Sequence, residues 1–588
     1  MLPETSPAAD LTTDATPITT PPSAATSVGR ATLLRVAAFN LPFALALAVG
    51  TALPSGLKAL LAGSLIFLVP GLAWTDRRVG DAAVVLYRAV LASFAAAFVT
   101  WVAVLLPPGP TSRSAFLLVL AALTNLGLWV GTRRGWYDAR PFATPLARTL
   151  TAASCLFYLQ CYFSAAYFVP ALEDQDMELQ GTAYGLMHHF TPSMTTNDSS
   201  LLYFSHPLLL HALIGESALI AGDLERLRYY YDGTLEVGPP PDDDEDEWEA
   251  ATLERWKRDF AQFEREPLLV TTRTPNMFLS ALLFFPLGFL AFRLTGTLGA
   301  ALIACLLYAT LPEVFVRAAY GGYMAIANFL VLAGSYFYFA AAGLLPERDT
   351  PLPSVPLAQR SGFIAAFLGG WADQKTILLP MATLGHAGLR VLTGGKLSEL
   401  FQRIRSRPEV RAALIVSAGF FAGWAAYVIY GLAIAPEAFY EHHIQFHFLN
   451  RVAMTDVNLH EVREDAWSYP SIVALWQQFG DHTGWLLMLV GVPALVLAAK
   501  RFRAAEGQLL LWIVAAAVGF SLIDWRQTKH FAQFLPAFVL LIGMLWAALD
   551  SRKRQLLGTV LGIAVMWNVY RIVLVMQDFE SLKPLPIW

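Results

Sequence analysis

The chain has 588 residues, of which 56% are hydrophobic and only 15% charged, with a formal net charge of -4. A soluble protein carries about 25% charged residues, so this composition excludes an ordinary soluble domain, as does a mean hydropathy of +0.49. The small net charge says little by itself, because the side on which charges lie outweighs their sum in a membrane protein; no nucleic-acid partner is expected.

In chain order, residues 1–30 are rich in Thr, Pro, Ala and Ser. They read as a disordered cytoplasmic N-terminus and lack the basic start and short apolar stretch of a cleavable signal. From Ala31 onward, apolar runs of roughly 18–25 residues recur, each long enough to cross ~30 Å of hydrocarbon. About fifteen segments are predicted: 33–52, 55–74, 82–106, 113–131, 149–169, 274–293, 296–312, 324–344, 361–372, 376–392, 411–434, 484–499, 507–524, 531–549 and 555–577. The runs do not alternate as the strands of a barrel would, and helices satisfy their own hydrogen bonds in lipid. The expected fold is an all-α polytopic membrane protein of about 13–15 transmembrane helices, with interfacial helices in its extracytoplasmic loops. The pair 361–372 and 376–392 is short and broken by Asp373-Gln374-Lys375, which leaves a re-entrant pair open. Cys155, Cys161 and Cys305 all lie in apolar runs and are expected to pack rather than form a disulfide framework.

With the N-terminus inside, the inner loops collect Arg77 and Arg78, then Arg133, Arg134, Arg140 and Arg148, and later Arg403, Arg405, Arg407, Lys500, Arg501 and Arg503. The outer loops are poor in bases for their length, as the positive-inside rule requires. Both long connections, 170–273 and 435–483, then share the outer face. Of the 11 histidines only His386 falls in a span, so the outer face is expected to carry function. The domain plan is four extra N-terminal spans in 31–148, a core over 149–579 and an outer tail over 580–588. Composition points to a bacterial cytoplasmic membrane.

Within the first outer loop, Leu201 to Ala221 is apolar but holds His206, His211 and Glu216, and reads as an interfacial helix. Pro239-Pro240-Pro241 and the acidic run 242–247 read as an exposed insert. A helix is expected over 248–263, with Trp248, Leu253, Trp256, Phe260 and Phe263 roughly on one face.

Three places concentrate groups suited to chemistry. Glu173-Asp174-Gln175-Asp176 follows a span directly. Tyr203-Phe204-Ser205-His206-Pro207-Leu208-Leu209-Leu210 runs from polar into apolar. Arg526-Gln527-Thr528-Lys529-His530 precedes a late span. Their order and common sidedness resemble the GT-C superfamily, membrane glycosyltransferases that use polyprenyl-phosphate sugars and include protein mannosyltransferases and aminoarabinose transferases. The resemblance covers roughly Thr149 to Phe579. It implies a GT-C fold and an outer-face transfer of a sugar from a polyprenyl-phosphate donor to a lipid, glycan or protein acceptor, with inversion.

That chemistry matches the residue types. A carboxylate takes the acceptor's proton, with Asp174 first, Asp176 second and Glu173 third. Cations stabilise the leaving phosphate, with Arg526, Lys529 and His530 in position and His206 inside the second motif. Lys375 is a further donor-phosphate candidate, and a structural ion pair with Asp373 is the competing reading. The sequence names no cofactor, and the clustered carboxylates admit a divalent cation. A zinc site is disfavoured: His443 and His447 have i,i+4 spacing but no acidic residue between them and no cysteine nearby. Two alternatives from other classes are a transporter or flippase for lipid-linked sugars, and a polysaccharide polymerase or ligase using the 435–483 loop. One departure from the resemblance is that the family's acidic motif usually follows the first span, whereas here four further spans come before the one it follows.

Overall fold

Each of the fifteen apolar stretches is helical in the computed structural model, which describes residues 24–105, 112–167, 178–196, 199–202, 204, 207–228, 268–319, 322–348, 351–393, 395–441, 443–445, 476–477, 480, 483–521 and 532–577. The first half contains α1 (Ala24–Val49), α2 (Ser55–Phe67), α3 (Val69–Trp74), α4 (Ala82–Leu105), α5 (Arg113–Arg133), α6 (Pro145–Tyr167), α7 (Glu178–His189) and α8 (Leu209–Ala221). Then come α9 (Thr274–Leu282), α10 (Phe284–Thr295), α11 (Leu298–Thr310), α12 (Pro312–Ala318), α13 (Met324–Ala341), α14 (Val355–Ala372), α15 (Leu378–Leu392) and α16 (Pro408–Ile434). The last four are α17 (Trp485–Lys500), α18 (Ala505–Ser521), α19 (Leu535–Ala548) and α20 (Ser551–Gln577).

Local chemistry sets the ends. Asp81 Oδ1 accepts from Val84 N at 3.0 Å at the head of α4, and Ser112 Oγ accepts from Ala115 N at 3.3 Å at the head of α5, each satisfying an otherwise orphaned donor. Proline occupies one of the first two positions of α9, α12, α16 and α19, where its missing N–H costs nothing. Gly222 closes α8 at φ +78°, a left-handed conformation that strains any other residue.

Among the described residues, eight helices are long and apolar enough to cross a membrane, or nine if α11 and α12, bent by 70°, count as one broken span. The chain is therefore a multi-pass helical membrane protein. The remainder of the fifteen expected segments are helical but different in kind. Helices α17, α18 and α19 have 16, 17 and 14 residues, short of the ~20 a perpendicular crossing needs. Helices α6 and α14 carry Gln160 and Arg360 respectively, among other polar residues. One small β-hairpin departs from an all-α reading: β1 (Ser193–Thr196) pairs antiparallel with β2 (Ser199–Leu202).

The broken pair is two helices joined by a short turn. Helix α14 has 18 residues and rises ~27 Å. The Pro351 carbonyl before it accepts from Arg293 Nη2 at 3.1 Å, and the Thr393 carbonyl after α15 accepts from Arg503 Nη2 at 2.6 Å. Both contacts lie at the end of the bundle that carries the basic turns. The linking turn, Gln374–Ile377, lies at the other end.

Helix α13 is buried along its whole length and forms the centre of the bundle. The N-terminal spans pack into the same core: Phe67 stacks on Phe278 at 5.8 Å, and Tyr87 meets Phe329 edge-on at 5.2 Å. Helix α8 is 13 residues long, ~20 Å, too short to span. Its C-terminal Gly222 abuts Thr51 in the turn between α1 and α2, and the Ile220 carbonyl accepts from Arg113 Nε at 2.9 Å. It therefore lies at the end of the bundle carrying the long loops, but it is not the interfacial helix expected over 201–221: it begins only at Leu209, Leu201 and Leu202 belong to a strand, and it is buried by its neighbours from Leu210 to Ala221.

Candidate functional site at the loop-bearing end

Buried hydrogen bonds link the segments that flank the three motifs. Ala165, near the end of α6, accepts through its carbonyl from Arg273 Nη1 at 3.1 Å. Gln180, in the first turn of α7, donates through Nε2 to Thr272 Oγ1 at 3.2 Å. Adjacent residues thus hold both flanks of the acidic segment. One turn further, Asn276 Nδ2 donates to the Gly322 carbonyl at 2.7 Å. The neighbouring Tyr323 hydroxyl is 3.3 Å from His211 Nε2, which brings in α8. Asn328, one turn into α13, donates to the Ala532 carbonyl at 3.3 Å, which ties in the turn after the third motif. Arg273, His211, Asn276 and Asn328 are all buried. Polar side chains at such depth persist only with hydrogen-bond partners.

The helix break forms a second cluster. Asp373 Oδ1 caps its turn by accepting from Lys375 N at 3.0 Å, and Asp373 Oδ2 is 3.3 Å from Lys375 Nζ. The ion pair foreseen as the competing reading is present. Beside it, His443 lies between Gln374, with its amide 3.2 Å from Nδ1, and Trp424, whose Nε1 donates to Nε2 at 3.3 Å. An indole N–H can only donate, so Nε2 is an acceptor and the ring proton sits on Nδ1. Burial pushes the His443 pKa down to about 4, against a weaker opposing pull from the Phe204 backbone. The imidazole stacks on Phe439 at 5.0 Å and meets Tyr427 edge-on at 5.0 Å.

Those aromatic residues join the break to the second motif. Tyr427 Oη donates to the Phe204 carbonyl at 2.8 Å, and Phe204 packs edge-on against Phe439 at 5.4 Å. Gly431 makes the fold-back possible, because a Cβ there would overlap the Phe439 ring. Tyr430 Oη donates to the Phe190 carbonyl at 2.6 Å. Phe190 itself has φ +56°, an uncommon conformation for a bulky residue.

Of the candidate catalytic and phosphate-binding residues, Lys375 is the one whose side chain is described. Glu173, Asp174, Asp176, His206, Arg526, Lys529 and His530 lie outside the described residues. So do the acidic run 242–247, the helix expected over 248–263, most of 435–483 and the tail from 578. The flanks of the three motifs are brought into one region; Lys375 reaches it through His443 and Phe204.

The structure buries further charges, of which Arg273, Glu313 and Arg317 were passed over in the sequence reading and Glu216 was noted. Arg273 is fully buried. Arg317 Nε is 2.7 Å from Glu313 Oε1, with both side chains buried. Their i,i+4 spacing in an otherwise apolar outer turn was a usable signal. Glu216 is also buried; among the described residues its Oε2 has no hydrogen-bond partner, and burial pushes its pKa up to about 8. Among the described residues no three His, Cys, Asp or Glu side chains gather to hold a metal ion.

No family model matches the chain, and no curated protein matches it. Two solved structures show a likeness. One is ArnT from Cupriavidus metallidurans bound to undecaprenyl phosphate, with 14% identity, a TM-score of 0.45 and coverage of 71% of this chain and 63% of that chain. The other is the same protein in the apo state, with 14% identity, a TM-score of 0.44 and coverage of 70% and 62%. The matched region spans less than two thirds of the ArnT chain.

Proposed function

We propose that this protein is a membrane glycosyltransferase that moves a sugar from a polyprenyl-phosphate donor to a lipid, glycan or protein acceptor at the outer face of a bacterial cytoplasmic membrane. The observation that carries this reading is the pair of anchors on the acidic segment. Thr272 and Arg273, adjacent in sequence, hold Gln180 and Ala165, and the same corner leads through Asn276, Gly322 and Tyr323 to α8. Such anchoring holds the two helix ends that flank the acidic segment, and proximity catalysis requires a carboxylate carried on a firm support.

In this reading Asp174 takes the proton of the acceptor hydroxyl as its oxygen attacks the anomeric carbon. Asp176 and Glu173 are its neighbours and alternates. Arg526 and Lys529, with His530, receive the negative charge developing on the departing lipid phosphate, and Arg suits phosphate through its planar fork of donors. His206 hydrogen-bonds substrate. Lys375 is held by Asp373 and contributes positive charge at the same end of the bundle. One direct displacement inverts the anomeric configuration.

The test is transfer from labelled polyprenyl-phosphate sugars to membrane acceptors by the full chain in vesicles. Asp174→Asn is expected to lower kcat by at least ~100-fold, the usual worth of a general base. Arg526→Gln is expected to slow transfer while leaving acceptor binding intact. Wild-type turnover by Asp174→Asn removes Asp174 as the base, and absence of any transfer by the wild type over a panel of donors overturns the reading.

A further inference from the structure

The four N-terminal spans are additional to the resembled family's plan, and one buried contact gives them a task. Lys58, in the first turn of α2, places Nζ 3.0 Å from Asp223 Oδ1, with side chains 13% and 5% exposed. Asp223 follows Gly222 at the end of α8. Its other oxygen, Oδ2, accepts from Thr271 Oγ1 at 3.3 Å, and Arg226 Nη1 approaches Oδ1 at 3.7 Å. Thr271 directly precedes Thr272 and Arg273, which hold the two flanks of the acidic segment. Beside it, Arg113 at the head of α5 bonds the Ala46 carbonyl at 2.5 Å and the Ile220 carbonyl at 2.9 Å. Helices α1 and α5 thereby clasp the end of α8 that carries Asp223.

We propose that Lys58 is a positioning residue: through Asp223 and Thr271 it fixes the Thr271–Arg273 corner, which holds the end of α6 and the start of α7 on either side of the acidic segment. The assignment of that segment as the reacting carboxylates rests on the glycosyltransferase reading; the mechanical role of Lys58 does not.

The physical argument is one of alternatives. Asp223 is buried and needs a cationic partner. Arg226 is farther from it and more exposed than Lys58. Without Lys58, the Asp223 carboxylate turns toward Arg226 and solvent. Thr271 then loses its acceptor, and the corner is no longer tied to the first spans. A segment anchored by few hydrogen bonds opens locally long before the whole protein unfolds.

The experiment measures amide hydrogen exchange of the full chain in nanodiscs, with and without Lys58→Met, Asp223→Asn and the reversed pair Lys58→Asp with Asp223→Lys. Both single variants are expected to raise exchange in 178–182 and 270–274 by about tenfold, as local opening. Exchange in α13 and α19 stays at the wild-type level, and the reversed pair restores at least part of the protection. In the transfer assay the singles lower kcat while donor KM stays within about twofold, the signature of lost transition-state geometry rather than lost binding. Unchanged exchange at 178–182 in either single overturns the proposal, and so does a uniform rise throughout the bundle. The exchange measurement needs no sugar donor, so an inactive wild type tells against the glycosyltransferase reading and leaves the Lys58 result readable.

Discussion

Asp81 Oδ2 and Arg293 Nε lie 2.6 Å apart, both fully buried, and join the turn before α4 to the last turn of α10. The Tyr336 hydroxyl donates to the same carboxylate oxygen at 2.6 Å. Removing one member leaves an uncompensated buried charge, which costs about 3–5 kcal/mol. Asp81→Ala is therefore expected to destabilise the protein by that order in denaturant unfolding in detergent. The double variant Asp81→Ala with Arg293→Leu recovers most of the loss, because an apolar pair of similar volume needs no desolvation.

Glu216 gives a pH dependence of known sign. Its folded pKa, about 8, is raised above the ordinary 4.5. The stability that goes with a neutral carboxyl is fully present below 4.5 and is lost as pH rises through 8. Each unit in that window is worth ~1.4 kcal/mol. Glu216→Gln is expected to match wild type near pH 4.5 and to exceed it at pH 8. Equal melting temperatures of the two proteins at pH 8 sink this account.

His443 acts in the opposite direction. Its pKa is depressed from 6.5 to about 4, so the folded state resists the proton that the unfolded chain accepts. Stability is present above 6.5 and falls as pH drops toward 4, by ~1.4 kcal/mol per unit. His443→Gln is expected to flatten that acid limb, read from unfolding midpoints between pH 7 and 4. At pH 7 the variant costs about 1–2 kcal/mol for a buried hydrogen bond.

Phe190 tests backbone against side chain. At φ +56° a non-glycine residue pays roughly 1–2 kcal/mol for the left-handed conformation. Its ring lies 4.9 Å from Trp101 and 5.8 Å from Tyr430. Phe190→Ala loses both contacts and keeps the strain, whereas Phe190→Gly loses the contacts and relieves it. The glycine variant is expected to be the more stable of the two by about 1 kcal/mol. The reverse order refutes strain at this position.

Hydrophobic run length and loop charge made the helical bundle and its two unlike ends legible before any coordinates. A charged triplet marked the turn between α14 and α15, and Asp373 with Lys375 does form an ion pair there. What escaped was what depends on distance along the chain. Nothing local tells that Tyr323 meets His211, or that Arg273 reaches Ala165, since over a hundred residues separate each pair. The hairpin at 193–202 was hidden because its strands are mostly Ser and Thr, with no alternation to read. Arg273 looked like the last polar residue of a loop, whereas packing of the helices around it has buried it.

Helix α16 has 27 residues, ~40 Å of rise against ~30 Å of hydrocarbon. On one side its last turns meet Phe190, Phe204 and Phe439 through Tyr427 and Tyr430, and on the other Ile429, Leu432 and Ile434 are exposed. The helix that grips the Phe190 and Phe204 carbonyls through Tyr430 and Tyr427 is thus longer than a perpendicular crossing needs, so one rigid rod serves both as a span and as the post on which the chain around Phe190 and Phe204 is hung.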